Sequence, residues 1–255
     1  MEHATWTVRI LISAISFAVL YKIFAAKAGR KPFIRRLPGL EAIDEAVGRA
    51  TELGRPILFS LGLGGLEPVT FASLAVLTHV VRLSAKYGMP VIVPIFRPEV
   101  YPVAQEICRE AYQAGGRPDL FSLDNIRFFS DQQSAWGSAV AGTMEREKTA
   151  ANFFFGSYGF ESLIISETGR NLGAIQIAAT DSYYQLPFFL VTCDYTLIGE
   201  ELYAASAYIS EDPVLRGSLV GQDIGKIIVL ILIAVGVILS CIPGAVNWFV
   251  KLLGM

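Results

Sequence analysis

From Ile227 to Val250 the chain carries no charged side chain, an unbroken run of 24 residues between Lys226 and Lys251. Its first part, "IIVLILIAVGVILSCI", is almost purely aliphatic. At about 1.5 Å of rise per residue, a helix of this length crosses a hydrocarbon core of roughly 30 Å. A buried helix of a soluble domain is rarely so long and so evenly apolar. A transmembrane helix is therefore expected within residues 223–255, with Trp248 suited to the interface and Pro243-Gly244 placed to kink or end it. The hydrophobic fraction of 53% agrees with a membrane protein.

The amino-terminal segment is shorter. Its uncharged stretch, Ile10 to Tyr21, has 12 residues, so Arg9 and Lys22 must snorkel outward for a helix from about Trp6 to Ala26 to span. A cleaved leader ending near "FAAKAG" is the rival. Glu2 and a single arginine before the apolar core make a poor leader head, and residues 1–28 are expected to be an uncleaved anchor. Lys22, Lys27, Arg30, Lys31, Arg35 and Arg36 crowd at its far end, and residues 29–38 form a basic juxtamembrane linker. Positive charge stays on the cytoplasmic side, so both termini should face out of the inner membrane and the middle of the chain inward. These basic residues serve as a stop signal and are placed to touch anionic head groups.

Residues 39–222 form the intervening domain. Between Leu37 and Asp223 there are 12 Lys plus Arg and 22 Asp plus Glu, a net charge of −10. A nucleic-acid surface needs a basic stripe, so no nucleic acid is expected as partner. Cys108, Cys193 and Cys241 are far apart, and the histidines are His3 and His79 alone. No zinc or haem spacing results, no metal or cofactor is expected, and a Cys–His nucleophile would have to rely on His79. That histidine lies in the apolar helix "FASLAVLTHVVRLSAKYG", where a satisfied or surface role is the simpler account.

Short apolar runs alternate with helical patterns along the domain. "PILFSLG", "PVIVPIF", "IRFFS", "NFFFGS", "AIQIAAT" and "PFFLVTC" are the expected strands. Between them lie helices in "LEAIDEAVGRATELG", from Glu67-Pro68 to Gly88, from Glu99 to Ala114, in "QSAWGSAVAGTMEREK" and in "FESLIISETG", with "DYTLIGEELYAASAYIS" last. Continuous apolar strands separated by helices indicate a Rossmann-like α/β fold: a mainly parallel sheet with helices on both faces, flanked by a transmembrane helix at each end.

Open parallel sheets bind ligands beyond the carboxyl ends of their strands. The candidate residues there are Gly62, Gly64 and Gly65 after the first strand, Arg97 after the second and Asp131 after the third. Ser157 follows the fourth, Asp181 the fifth and Asp194 the sixth. Gly62 and Gly64 before a helix suggest a phosphate cradle, but Glu67 stands where a third glycine would fall and no Walker lysine follows; a tight structural turn is the better account. Asp131, Asp181 and Asp194 are suited to an acid/base or divalent-metal cluster, but capping helices is the simpler role and the better account. Ser157 in "GSYG" lacks the spacing of a nucleophile elbow, and Glu167 shows no partner. No catalytic residue is assigned.

The stretch "LIISETGRNLGAIQIAATDSYYQLPFFLVTCDYTLIGEELYAASAYIS", with "GSLVGQDIGK" and a terminal apolar helix, resembles an uncharacterised prokaryotic membrane-protein family, domain of unknown function 6754. "RLPGLEAIDEAVGRATELGRPILF" resembles its amino-terminal part. The resemblance implies a membrane-anchored prokaryotic protein and brings no reaction. Three functions are expected in descending order. The first is a non-catalytic scaffold in the bilayer, a homo-oligomer or an accessory to partner membrane subunits. A sensor of a small molecule such as a nucleotide comes second, and an enzyme with its site at the strand ends third.

Overall fold

A computed structural model describes residues 6–28, 38–210 and 213–240. Arg30, Lys31, Arg35 and Arg36 of the linker, His3, Pro243-Gly244 and Trp248 lie outside them. In chain order the elements are α1 (Trp6–Lys27), α2 (Pro38–Leu53), β1 (Ile57–Gly62), α3 (Pro68–Tyr87), β2 (Val91–Ile95), α4 (Tyr101–Ala114), β3 (Ile126–Phe128) and α5 (Gln133–Glu147). They continue with β4 (Ala151–Ser157), α6 (Glu161–Asn171), β5 (Ile175–Thr180), α7 (Leu186–Thr192), β6 (Tyr195–Ile198), α8 (Glu201–Ser210) and α9 (Pro213–Ser240). Two compact units result: Met1–Ile34 with Glu211–Met255, and Arg35–Ser210.

The terminal unit is a helix pair. Both α1 and α9 hold stretches long and apolar enough to cross a membrane, Arg9–Lys27 and Pro213–Leu239. A helix satisfies its own backbone polar groups, the condition for crossing hydrocarbon. Gly217, Gly221 and Gly225 recur every fourth residue and form a seam on α9. A Cβ at Gly217 would lie 2.7 Å from the Ile23 Cα, one at Gly221 2.6 Å from the Val19 Cα, and one at Gly225 3.3 Å from Ile15 Cγ2. The missing side chains let two antiparallel backbones touch, the close approach that small residues permit in membrane helices.

The second unit holds a six-stranded sheet in the order β3-β2-β1-β4-β5-β6, with every neighbouring pair parallel. β1, β2 and β4 are almost wholly buried, as strands covered on both faces must be. Alternate residues serve opposite layers. Phe59, Phe153 and Phe155 face α2, α3, α4 and α8, while Leu58, Phe154 and Ala178 face α5, α6 and α7. α3 is also apolar enough for a membrane, but most of it is buried in this unit, with Val76, Leu77, Val80 and Val81 wholly enclosed. Here it is a core helix.

The expected sixth strand is a correction. "PFFLVTC" folds mostly as α7, and the sixth strand is Tyr195–Ile198, from the segment expected to be helical throughout. A short apolar run has no period of its own to choose between helix and strand. Pro187 sits in the first turn of α7, where its missing N–H costs nothing. The Phe189 ring then stacks on Phe154 at 5.8 Å. Gln176 pins the helices, its Nε2 donating to Ser166 O at 2.8 Å and to Thr192 O at 2.9 Å. Asp194 starts the new strand: its N–H donates to Gln176 O at 2.9 Å and its Oδ2 accepts from Gln176 N at 2.8 Å.

Asp194→Ala leaves the Gln176 N–H without its acceptor and should cost about 1–3 kcal/mol of stability. Urea unfolding of the full chain in detergent, followed by the fluorescence of the buried Trp136, measures this.

Candidate functional site

β1 and β4 lie side by side, yet the chain leaves β1 into α3 on one face and β4 into α6 on the other. Such a switch opens a crevice beyond the carboxyl ends of the two strands. Its floor is laced by backbone. Gly62 has φ +71° and a Cβ there would run into the Ser157 carbonyl, while Gly156 has φ +141° and abuts the Leu61 carbonyl in the same way. Leu63 N donates to Ser157 O at 2.8 Å. Only glycine combines this conformation with this proximity.

Side chains complete the floor. The Ser157 hydroxyl donates to Asp181 Oδ1 at 2.8 Å, joining the ends of β4 and β5. The Tyr158 hydroxyl donates to Ser60 Oγ at 2.9 Å, and Ser60 Oγ accepts from Gly62 N at 3.2 Å. Glu161, in the first turn of α6, is wholly buried, and its carboxylate accepts from Gly159 N at 2.8 Å and from Gln133 Nε2. A carboxylate bonded to backbone N–H at a helix start is favourably placed. It holds the turn after Ser157 in one shape.

Carboxylates dominate the mouth. The Tyr203 phenol on α8 is pushed up in pKa by partial burial and then by the charges of Asp181 and Glu67, which places both acids near it. A Cβ on Gly65 would lie 3.1 Å from Glu99 Oε1. Arg97 stacks its guanidinium on Phe96 at 5.1 Å from the ring centroid. Clustered acids disfavour phosphate.

The sequence candidates thus fall into three groups. Gly62, Ser157 and Asp181 meet in the crevice, with Gly64 and Gly65 in the loop above it. Gly64 needs no positive φ; Thr70 Oγ1, 2.7 Å from where a Cβ would stand, leaves no room for one. Arg97 and the exposed Asp131 are not bonded to the Ser157–Asp181 pair. Asp194 lies at the amino end of β6, the opposite edge of the sheet, because the sixth strand follows it rather than precedes it. None of the three aspartates caps a helix by its side chain. Gln132 and Gln185 hold the positions before α5 and α7, and Asp181 and Asp194 are spent on Ser157 and Gln176.

Ser60, Tyr158 and Glu161 were outside the candidates. Ser60 is the one polar side chain in the strand "ILFSLG", a signal that a buried hydroxyl needs a partner. Glu161 follows "GSYGF" with no local sign of its burial.

Among the described residues no three His, Cys, Asp or Glu side chains gather as metal ligands. His79, on α3, has its pKa lowered, chiefly by burial. A cleft of about 680 Å³ opens at the amino ends of β5 and β6, lined by Arg49, Arg170, Glu45 and Asp194 among others. Its mixed charges and polar walls differ from the largely apolar pockets that enclose small molecules.

The family described as Domain of unknown function (DUF6754) matches residues 1–251. The chain belongs to this family. No curated protein and no solved structure matches it.

Gly62→Val should destabilise this family member by about 1–3 kcal/mol, since it combines a positive φ with a backbone clash. Denaturant unfolding checks this. Burial also pushes the Tyr158 phenol well above its ordinary pKa and that of Tyr112 to about 12. Both hold their protons more tightly folded than unfolded. Their contribution is therefore complete below the unfolded value near 10 and declines as pH rises through the folded values. Unfolding free energy should be insensitive to these groups below about pH 10 and fall above it, and Tyr112→Phe should flatten that fall.

Proposed function

We propose that the protein is a non-catalytic, membrane-anchored α/β module that assembles with copies of itself or with partner membrane subunits. Its α/β unit faces the cytoplasm and its helix pair lies in the inner membrane. One observation carries the assembly reading: an uncovered apolar surface on α6, α7 and the loop before α7. Phe160, Leu163 and Ile164 are exposed there, with Tyr184 at 89% and Val191 at 70% exposure. Large contiguous apolar patches mark interaction sites, and aromatic residues are enriched in them. Confinement to a bilayer raises local concentration, so modest contacts suffice. Basic residues beyond α1 support the orientation.

Mass measurement in nanodiscs should find an oligomer or a complex, and Tyr184→Glu with Val191→Glu should lower its mass by removing the contact made through α6 and α7. A monomer of the unaltered protein, purified from its native membrane, overturns this reading. A cysteine placed at the exposed Asp119 should react with an impermeant reagent only after the cell is opened; reaction in intact cells reverses the orientation.

The bonded Ser157–Asp181 pair at the strand switch favours a second reading, a sensor of a hydroxylated or cationic small molecule. Such a ligand should raise the melting temperature, and Asp181→Asn should remove the rise. A shift with nucleotides would instead restore the phosphate cradle.

A further inference from the structure

The glycine seam fixes more than the closeness of α1 and α9; it fixes their register. Gly217 faces Ile23, Gly221 faces Val19 and Gly225 faces Ile15, four residues down one helix for four up the other. Carried along both helices, this register lays the uncharged stretch Ile10–Tyr21 beside Leu219–Leu230. Asp223 then stands alongside Phe17, and Lys226 alongside Ala14. Both lie at the depth where α1 is most apolar. Hydropathy of α9 alone hides this, because its long apolar run begins only after Lys226.

These two side chains do not point into the helix pair. Gly221 and Gly225 are buried against α1, while Gln222, Asp223 and Lys226 are exposed, the side chains of Asp223 at 65% and Lys226 at 46%. Lys226 Nζ lies 3.5 Å from Asp223 Oδ1, one turn along the helix. Gln222 Nε2 donates to Ser218 Oγ at 3.4 Å. Around them stand exposed Ile227 and Leu230, residues fit for lipid or for another helix. Charged side chains at membrane depth rarely face lipid; they pair within a protein interior.

We propose that Asp223 and Lys226 meet a second copy of this chain inside the membrane. The face is its own complement, holding one acid and one base and no net charge. Copies inserted the same way are related by an axis along the bilayer normal, so each Asp223 lies at one depth and each Lys226 about 4.5 Å from that depth. A lysine side chain spans that offset. Each copy's Asp223 then reaches the other's Lys226, and the contact closes as a two-fold pair. This surface is separate from α6 and α7, so either contact stands if the other fails.

The test uses the full chain in native membranes and nanodiscs, with Cys108, Cys193 and Cys241 changed to Ser and Gln222→Cys introduced. Oxidation should give a disulfide-linked homodimer, and an impermeant thiol reagent should not label the site from either side. Asp223→Lys alone and Lys226→Asp alone should each lower cross-linking at least tenfold, and the double swap should restore it. Two differently tagged chains, one Asp223→Lys and one Lys226→Asp, should form a heterodimer when produced together though neither pairs with itself. Should a reversal fail to insert, Asp223→Asn with Lys226→Gln removes both charges and should still lower cross-linking several-fold. The proposal is overturned by cross-linking indifferent to all these changes, by labelling of Gln222→Cys from either side, by heterodimers no more abundant than homodimers, or by a disulfide to a different protein. Tyr184→Glu with Val191→Glu should leave this cross-link in place, which separates its failure from that of the α6–α7 contact.

Discussion

The α/β unit turns on the pairing of β1 with β4. Ile57 to Ser60 run in register with Ala151 to Phe154, and the register then shifts so that Gly62 meets Ser157. On one side of this pairing Phe59 stacks between Phe153 and Phe155, with ring centroids 5.9 and 5.4 Å apart. Aromatic rings at these separations add to the burial energy of the core. The shift itself needs glycine on both strands, because the Gly62 and Gly156 backbones sit against carbonyls of the other chain segment. A β-bulge at a strand end re-aims the residues that follow it. Here it turns Ser157 toward Asp181 and Tyr158 toward Ser60.

From that joint the crevice acquires its character. Its fixed groups are a hydroxyl bonded to a carboxylate, a buried tyrosine and an acid locked under the α6 turn. The same groups form a polar floor tied by hydrogen bonds.

The helix pair follows a parallel logic. As in the crevice, glycine removes side chains so that two backbones touch, and this contact decides where charged groups come to stand. In hydrocarbon the apolar surfaces of α1 and α9 gain little from each other, so close packing and polar contacts decide association. The uncharged run extends from Ile227 to Val250, yet the polar face lies at the start of α9, beside the seam.

Much of this was legible in the residues. Alternating apolar strands and amphipathic helices specify a covered parallel sheet, since a strand buried on both faces admits no polar alternation. Gly54 and Gly88, after α2 and α3, take the left-handed conformation that ends a helix. The apolar runs near both termini suggest membrane association, because they are long and uncharged enough to cross hydrocarbon. Gly62 was legible as a turn from its neighbours. What required tertiary structure was every choice between locally equal options. "PFFLVTC" became helical because Phe189 fits under Phe154 and because Gln176 binds Thr192 and Asp194, contacts 16 to 35 residues apart in the chain. That reversal moved Asp194 from one end of the sheet to the other. The Ser157–Asp181 bond joins residues 24 apart, and the depth of Asp223 depends on which residue of α1 each glycine meets. Local sequence sets the period and the length of an element; only packing across the chain sets which element lies beside it and in what register.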